Sequence, residues 1–257
     1  MNQTDRRDAA PSLSLVIPAY NEAARIGRTI AAALAWLEAQ PFCGELIVVD
    51  DGSVDATATA AESAIAGAER ARVLRLPHGG KAAAVRAGML AARGDQIAFC
   101  DADLATPLDY LTDLRAAVVA GCDVAIGSRE GIGARRLGEP VYRHLMGRVF
   151  NGIVRLCVLP GIQDTQCGFK LFTRPAAEAI LARTRLYREP RAVAGPRVTA
   201  FDVELLVVAR ALGWRVCATP VVWTYGVGSK VHPARDTWNN VRDLFQVWWN
   251  ARRGRYR

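Results

Sequence analysis

Asp101 and Asp103, one residue apart where the apolar run 96–100 stops, are the side chains of this sequence best suited to chemistry. Two hard oxygen donors at that spacing suit Mg²⁺ or Mn²⁺ held against a diphosphate. The competing reading is a solvated turn, in which Asp103 favours the start of the helix behind it. Similar groups recur at the ends of other apolar runs. Asp50 and Asp51 close the run 45–49, where a carboxylate can accept from a base N–H or ribose hydroxyls, or simply form an Asp-Gly-Ser turn. Lys81 follows Gly79 and Gly80 at a helix start, where free N–H groups and the helix dipole favour phosphate. The spacing of a Walker loop is absent, and a plain surface lysine is the alternative there.

The elements that must position these groups are legible from the apolar pattern. Residues 13–17 read as a strand ended by Pro18, with Asn21 as the N-cap of an alanine-rich helix running to about Ala39. Runs at 45–49, 71–76, 96–100 and 123–126 read as further strands. Between them fall a helix capped by Asp55 or Ser53 and ending near Gly67, one from Lys81 through Arg93 closed by Gly94 at C′, and one opened by Thr106-Pro107. Short strands alternating with helices indicate an α/β fold, a Rossmann-like and mainly parallel sheet flanked by helices. The carboxyl ends of such strands share one edge, so 18–22, 50–53, 79–81, 101–103 and 127–129 converge on one site.

The second half is less regular. Residues 131–140 are rich in glycine and arginine and read as mobile, and 141–159 as a helix with Leu145, Val149, Ile153 and Leu156 on one stripe. Residues 164–172 read as a loop entering a strand, 186–199 as a flexible loop, and 201–212 as a helix with Asp202 and Glu204 near its start. A last strand is expected at 215–223, then the stretch 226–230 and a C-terminal helix. With no repeat and no linker, the chain reads as a single domain: a flexible N-terminus at 1–12, the body at 13–233, and an amphipathic helix with a basic tail at 234–257.

Half of the 257 residues are apolar, which excludes a disordered chain, and the formal charge of +8 points to an anionic partner. Cys43, Cys100, Cys122, Cys157, Cys167 and Cys217 lie far apart with no Cys-x-x-Cys pair, which argues against a zinc site or a disulfide framework and for a reducing compartment. His78, His144 and His232 show no metal-ligand spacing and read as structural or surface residues. No signal-peptide core and no run of eighteen apolar residues is present, so the chain reads as soluble or peripheral.

In combination the motifs say more. Val16-Ile17-Pro18-Ala19-Tyr20-Asn21-Glu22, Val49-Asp50-Asp51-Gly52-Ser53, Gly80-Lys81 and Asp101-Ala102-Asp103 resemble glycosyltransferase family two, of the GT-A fold. Gly127-Ser128-Arg129, residues 164–172, Phe201-Asp202-Val203-Glu204-Leu205-Leu206 and Gly228-Ser229-Lys230 are similar to its dolichyl-phosphate β-glucosyltransferase branch, close to the dolichyl-phosphate mannose synthases. The resemblance covers roughly 13–230. It implies a nucleotide site of Pro18, Tyr20, Asn21, Glu22, Asp50, Asp51, Lys81 and Ala102, with Lys230 approaching the diphosphate as its loop closes. Asp101 and Asp103 would hold Mg²⁺ or Mn²⁺, and Arg129 and Arg143 the acceptor phosphate, with Asp103 and both arginines as the catalytic set. Asp164, Gln166, Lys170, Asp202 and Glu204 would line the sugar and acceptor pocket.

The reaction so implied is an inverting, metal-dependent transfer of a hexose, glucose first, from a UDP-sugar to polyprenyl or dolichyl phosphate at the cytoplasmic face of a membrane. An anionic phosphate acceptor needs no strong base; with a sugar-hydroxyl acceptor, Asp202 or Glu204 is the first candidate for one. A GDP-mannose or UDP-acetamido-sugar donor stays open, as does a catalytically silent nucleotide-binding membrane scaffold. A nucleotidyltransferase would carry a glycine-rich loop with arginine after the first strand, and a nucleic-acid module leaves the strand-end carboxylates unexplained, so no nucleic acid is expected. Ala82 departs from a glycine common in the family, and Ala105 from a third metal ligand of some mannose synthases. Without a membrane span, bilayer contact falls to the C-terminal Trp238, Val241, Phe245, Trp248, Trp249 and Arg252, trailed by Arg253, Arg255, Tyr256 and Arg257, or to the helix around Arg143, Arg148 and Arg155. A small membrane-protein subunit is a further candidate partner, and a core-packed C-terminal helix with a solvated tail is the alternative.

Overall fold

The strands are β1 (Leu13–Ala19), β2 (Gly44–Asp50), β3 (Ala71–Arg75), β4 (Gln96–Cys100), β5 (Val124–Ser128), β6 (Arg135–Leu137), β7 (Phe169–Thr173), β8 (Val216–Pro220) and β9 (Val222–Thr224). The helices are α1 (Ile26–Glu38), α2 (Thr57–Ala64), α3 (Lys81–Ala91), α4 (Tyr110–Val119), α5 (Val141–Cys157), α6 (Arg174–Arg183), α7 (Phe201–Ala211) and α8 (Pro233–Arg252). These come from a computed structural model that describes residues 12–188, 199–226 and 233–257. The expectations for the N-terminus before Ser12, for most of the 186–199 loop, and for Lys230 and His232 lie outside the described residues.

Seven strands form one sheet in the order β3-β2-β1-β4-β7-β5-β8, parallel except for β7, which runs antiparallel between β4 and β5. β6 and β9 pair parallel in a second, two-stranded sheet. All seven residues of β1 are buried, as a strand covered on both faces requires. Alternate side chains feed two cores. Leu13, Leu15 and Ile17 pack under α1, α2 and α4, while Val16, Ile47 and Phe99 pack with α3, α6, α7 and α8. The α/β reading therefore holds: the fold is one mainly parallel sheet flanked by helices.

Several boundaries differ, each for a local reason. β1 runs through Pro18 because its pairing with β4 stops at Val16, so the missing N–H interrupts nothing on that side. Asn21 does not cap α1, which starts at Ile26; it sits at φ 52° and its side chain accepts from Val54 N at 2.9 Å. Asp55, not Ser53, accepts from the Thr57 N–H at the start of α2, which ends at Ala64. Gly94 is not a left-handed cap. It is a close-approach glycine, whose added Cβ would lie 2.6 Å from Ser14 N. α4 starts at Tyr110, four residues past Thr106.

The stretch 131–140, expected to be mobile, contains β6, and 215–223 splits into β8 and β9 of different sheets. Cys122 and Cys217 form a disulfide, contrary to the reduced thiols expected; parallel pairing of β5 with β8 sets their Cα atoms 6.0 Å apart across 95 residues of sequence. Cys43, Cys100, Cys157 and Cys167 are free thiols. The basic tail keeps Arg253, Arg255 and Arg257 exposed as expected, but Tyr256 among them is buried. Leu244, Val247 and Tyr256 belong to the same core as α7, so α8 and the turn after it are built into the domain. Among the described residues no helix is long and apolar enough to cross a membrane.

Candidate active site

One cleft of about 770 Å³ opens where the carboxyl ends of β1, β2, β4 and β5 meet the first turns of α3 and α7. Its first end is built from the loops after β1, β2 and β3. Tyr20 stacks flat on His78, ring centroids 4.0 Å apart and 8° from parallel. His78 Nδ1 lies 2.8 Å from Asp51 Oδ2, and the same carboxylate accepts from Gly79 N at 2.8 Å and Gly80 N at 2.9 Å. Asp51 therefore both borders the cleft and holds the loop leading into α3. Gly80 has φ 89°, a conformation glycine adopts without the penalty of a side chain. Pro18, Tyr20 and Glu22 line the cleft; Asp50 and Asn21 do not. Asp50 is buried at the end of β2, with Oδ2 accepting from Ser53 N at 3.3 Å. Asn21 is a cross-brace between the first two loops, its own N–H donating to Ser53 Oγ at 2.9 Å.

Asp101, Ala102 and Asp103 lie mid-cleft, and Lys81 forms an ion pair with Asp101 Oδ1. Burial disfavours the Lys81 ammonium, but Asp101, Asp202 and Asp103 outweigh it and raise its pKa. Burial, then the neighbouring Asp101 carboxylate, pushes the Asp103 carboxyl up from its ordinary value. Thr29 Oγ1 donates to Ala102 O at 2.6 Å, and Ala105 N to Asp103 Oδ1 at 3.1 Å, which fixes the loop between the two acids. Gly168, just before β7, lies against the pair: a Cβ there would fall 2.2 Å from Asp101 Oδ2. Two crowded carboxylates, one under electrostatic pressure to take a proton, are a donor set that a divalent cation relieves. Among the described residues no group of three or more His, Cys, Asp or Glu forms a complete cage, so such a cation would share its ligands with a bound diphosphate and water.

At the far end Arg129 lines the cleft but is committed to Asp164. Its backbone N, Nε and Nη2 all donate to that carboxylate, at 2.9, 2.7 and 2.9 Å. Burial alone would push Asp164 up; the Arg129 charge and hydrogen bonds win and hold it well below the usual carboxylate range. Asp164 thus aims Arg129 and does not itself face the cleft. Arg143 lines the cleft on α5, and its Nη1 donates to Tyr225 Oη at 3.0 Å. Asp202 and Gln166 also line it. Lys170 and Glu204, expected beside them, do not. Lys170 is completely buried, donating to Asp202 Oδ1 at 2.6 Å and to Cys167 O. Glu204 points the other way, accepting from the Arg185 and Leu186 backbone and from Tyr256. Burial pushes its carboxyl up.

His78, Arg136, Trp223 and Tyr225 line the cleft without having been singled out for it. His78 had a signal, since it immediately precedes Gly79-Gly80-Lys81 at a strand end. Arg136, paired with Glu130 and Glu139 at 3.0 and 2.8 Å, and the two aromatics of the β9 region had none. The mouth of the cleft is apolar: Leu145, Met146, Val149 and Ile153 of α5 line it while staying 42–63% exposed.

Residues 14–181 match the family Glycosyl transferase family 2. A dolichyl-phosphate beta-glucosyltransferase of Drosophila melanogaster is 38% identical over 251 residues, covering 92% of this chain and 74% of the relative. The human protein of the same name is 33% identical over 256 residues, covering 91% and 76%. Among solved structures, glucosyl-3-phosphoglycerate synthase from Mycobacterium tuberculosis with Mn²⁺, UDP and its product superposes with a TM-score of 0.61 at 18% identity, covering 94% of this chain and 80% of that one. A Pyrobaculum calidifontis mannosyltransferase with GDP-mannose and Mn²⁺ gives 0.59 at 17% identity, covering 96% and 65%. The shared architecture is the GT-A fold that the motifs implied. With well over half of its length inside the family match and relatives of this identity along nearly all of it, the chain belongs to glycosyl transferase family 2 and is a glycosyltransferase.

Proposed function

We propose that this enzyme transfers glucose from UDP-glucose to the phosphate of a dolichyl or other polyprenyl phosphate, with inversion, at a membrane surface. One observation carries the acceptor: a single cleft joins the Asp101–Asp103 pair to Arg129 and Arg143, and its mouth is the exposed apolar side of α5. A lipid phosphate presents that combination, an anionic head on an apolar chain. The names of the relatives support the same acceptor and sugar, and the complexes of the structural neighbours support a nucleotide donor with a divalent metal.

A cation held by Asp101 and Asp103 would supply Lewis-acid neutralisation of the departing diphosphate. The chain's own residues do the rest. Tyr20, stacked on His78, offers a flat apolar surface to the base, and Asp51 keeps the glycine loop against the phosphates. Lys81 adds a fixed positive charge at the start of α3. Asp202, oriented by Lys170, and Gln166 orient the hexose hydroxyls. Arg129, locked by Asp164, and Arg143 hold the acceptor phosphate in line with the anomeric carbon. The attacking oxygen is already anionic, so no residue has to remove a proton. Attack opposite the diphosphate turns an α-linked donor into a β-linked product.

The test is turnover of a panel of UDP- and GDP-sugars with a short polyprenyl phosphate, with Mn²⁺ or Mg²⁺ and with chelator. Metal-dependent glucolipid from UDP-glucose is expected. Product from GDP-mannose alone would replace the donor, and transfer only to a sugar hydroxyl would replace the acceptor.

A further inference from the structure

Two buried carboxylates outside the cleft tie the C-terminal helix to the wall that carries Asp202. Glu204, 1% exposed in the first turn of α7, accepts from Arg185 N at 2.9 Å, Leu186 N at 3.0 Å and Tyr256 Oη at 2.7 Å. Asp243 of α8 is completely buried, and its Oδ2 accepts from Tyr187 Oη at 2.5 Å and from Ala200 N at 3.4 Å. The region after α8 is thus fastened to α7, and α8 itself both to residue 187 and to the residue that precedes α7. Asp202 lies in the fastened turn and faces the cleft. Asn240, three residues before Asp243, also lines the cleft, its Oδ1 3.5 Å from Gln166 Nε2.

Burying two carboxylates on a helix seam is a costly way to hold helices together, since apolar residues of similar size pack at least as well. What such groups supply is a fixed register: each oxygen demands particular donors at particular places. We propose that Tyr256 and Asp243 are positioning residues for the transfer reaction, locking α8 onto the first turn of α7 and so fixing Asp202 and Asn240 on the sugar and acceptor wall. The proposal rests on the transfer reading above. The nucleotide end is built from the loops after β1, β2 and β3, whereas the donors to Glu204 and Asp243 come from Arg185, Leu186, Tyr187, Ala200 and Tyr256.

Tyr256→Phe and Tyr187→Phe each remove one hydroxyl and keep the ring. In each, kcat for transfer is expected to fall about five- to tenfold while the Kd for UDP with Mn²⁺ stays within about twofold, because small displacements of positioning groups act on the reacting geometry. On an Asp202→Asn background, Tyr256→Phe is expected to add less than about twofold, since coupled residues are not additive. Wild-type kcat in both variants, or a full multiplicative loss on that background, would overturn the proposal. Amide hydrogen exchange of residues 201–206 gives a readout without turnover: about tenfold faster exchange in Tyr256→Phe is expected, and unchanged exchange refutes the lock. Should Tyr256→Phe fail to fold, Tyr187→Phe carries the kinetic arm and, with its own exchange at residue 200, decides alone. If wild-type enzyme transfers to no polyprenyl phosphate, the functional reading fails, while exchange and UDP binding still decide the lock.

Discussion

The carboxylate of Asp101 occupies the space that any side chain at 168 would need, so the proposed metal site is shaped by a residue with no functional group. Gly168→Ala is expected to displace Asp101 and lower kcat/KM about a hundredfold, with an unchanged circular dichroism spectrum, because the misplacement is of the order that costs two decades. Asp103 gives a pH test. Its carboxyl is pushed up in the folded protein, so its contribution to stability is present below its unfolded value and is lost as pH rises through the folded one. A bound cation removes that penalty. Mn²⁺ should therefore raise Tm less and less as pH falls from 8 into the carboxylate range, and a shift that Asp101→Asn and Asp103→Asn both leave unchanged would show that the pair does not hold the metal. Asp164→Asn leaves the Arg129 guanidinium buried without its counter-charge, an expected loss of about 3–5 kcal/mol in denaturant unfolding. At this scale the sequence showed which residue types end the strands but not which way each one points. Asp202 and Glu204 illustrate the limit: two residues at about 100° each separate them by about 200° around a helix, so only one can face the cleft. Lys170 and Asp164 were missed as supports because a buried ionic partner leaves no trace in local spacing.

The elements that carry the proposed nucleotide end were legible as strands and helices because each is local, a short apolar run ended by polar residues and followed by a helical stretch. Those that build the proposed acceptor end depend on distant pairing. β7 is antiparallel between two parallel strands, β6 finds β9 across more than eighty residues, and α6 had only Pro175 in its first turn to announce it. The disulfide belongs to this class, since Cys122 and Cys217 meet only once β5 and β8 are neighbours. Closing a loop of that length restricts the unfolded chain, so reduction, or Cys217→Ser, is expected to destabilise the protein by about 2–4 kcal/mol. The bond lies on the β5–β8 side of the sheet, away from Tyr20 and Asp101, so UDP binding should be unchanged. A parallel fall in UDP affinity would show that this edge of the sheet is coupled to the nucleotide end.

Over the whole molecule, much of the exposed apolar surface lies beside the cleft. The chain carries a net charge of +8, and two helices bordering the same cleft leave apolar residues uncovered. On α5 these include Leu145 and Val149; on α8, Trp238, Val241, Phe245 and Trp249. Arg252 lies 4.8 Å over the Trp248 ring and Arg253 4.3 Å over the Trp249 ring, so cations flank the aromatic face where lipid headgroups would meet it. In the proposed reaction a lipid acceptor would bring its phosphate to Arg129 and Arg143 while its chain stays in an apolar medium, and a bilayer against α5 and α8 would meet both conditions. Phe245 and Trp249 do not line the cleft, which separates docking from chemistry. Phe245→Ala with Trp249→Ala is expected to weaken binding to vesicles containing anionic lipid by about a hundredfold, given the area two aromatics bury. Transfer to a short, water-soluble polyprenyl phosphate should stay within about threefold of wild type. Wild-type binding should also weaken between low and high salt, as screening of the basic end requires. Vesicle binding that survives the double substitution would assign membrane contact to α5 alone, and equal losses with soluble and vesicle-borne acceptor would mean that the aromatic face of α8 serves the fold and not the membrane.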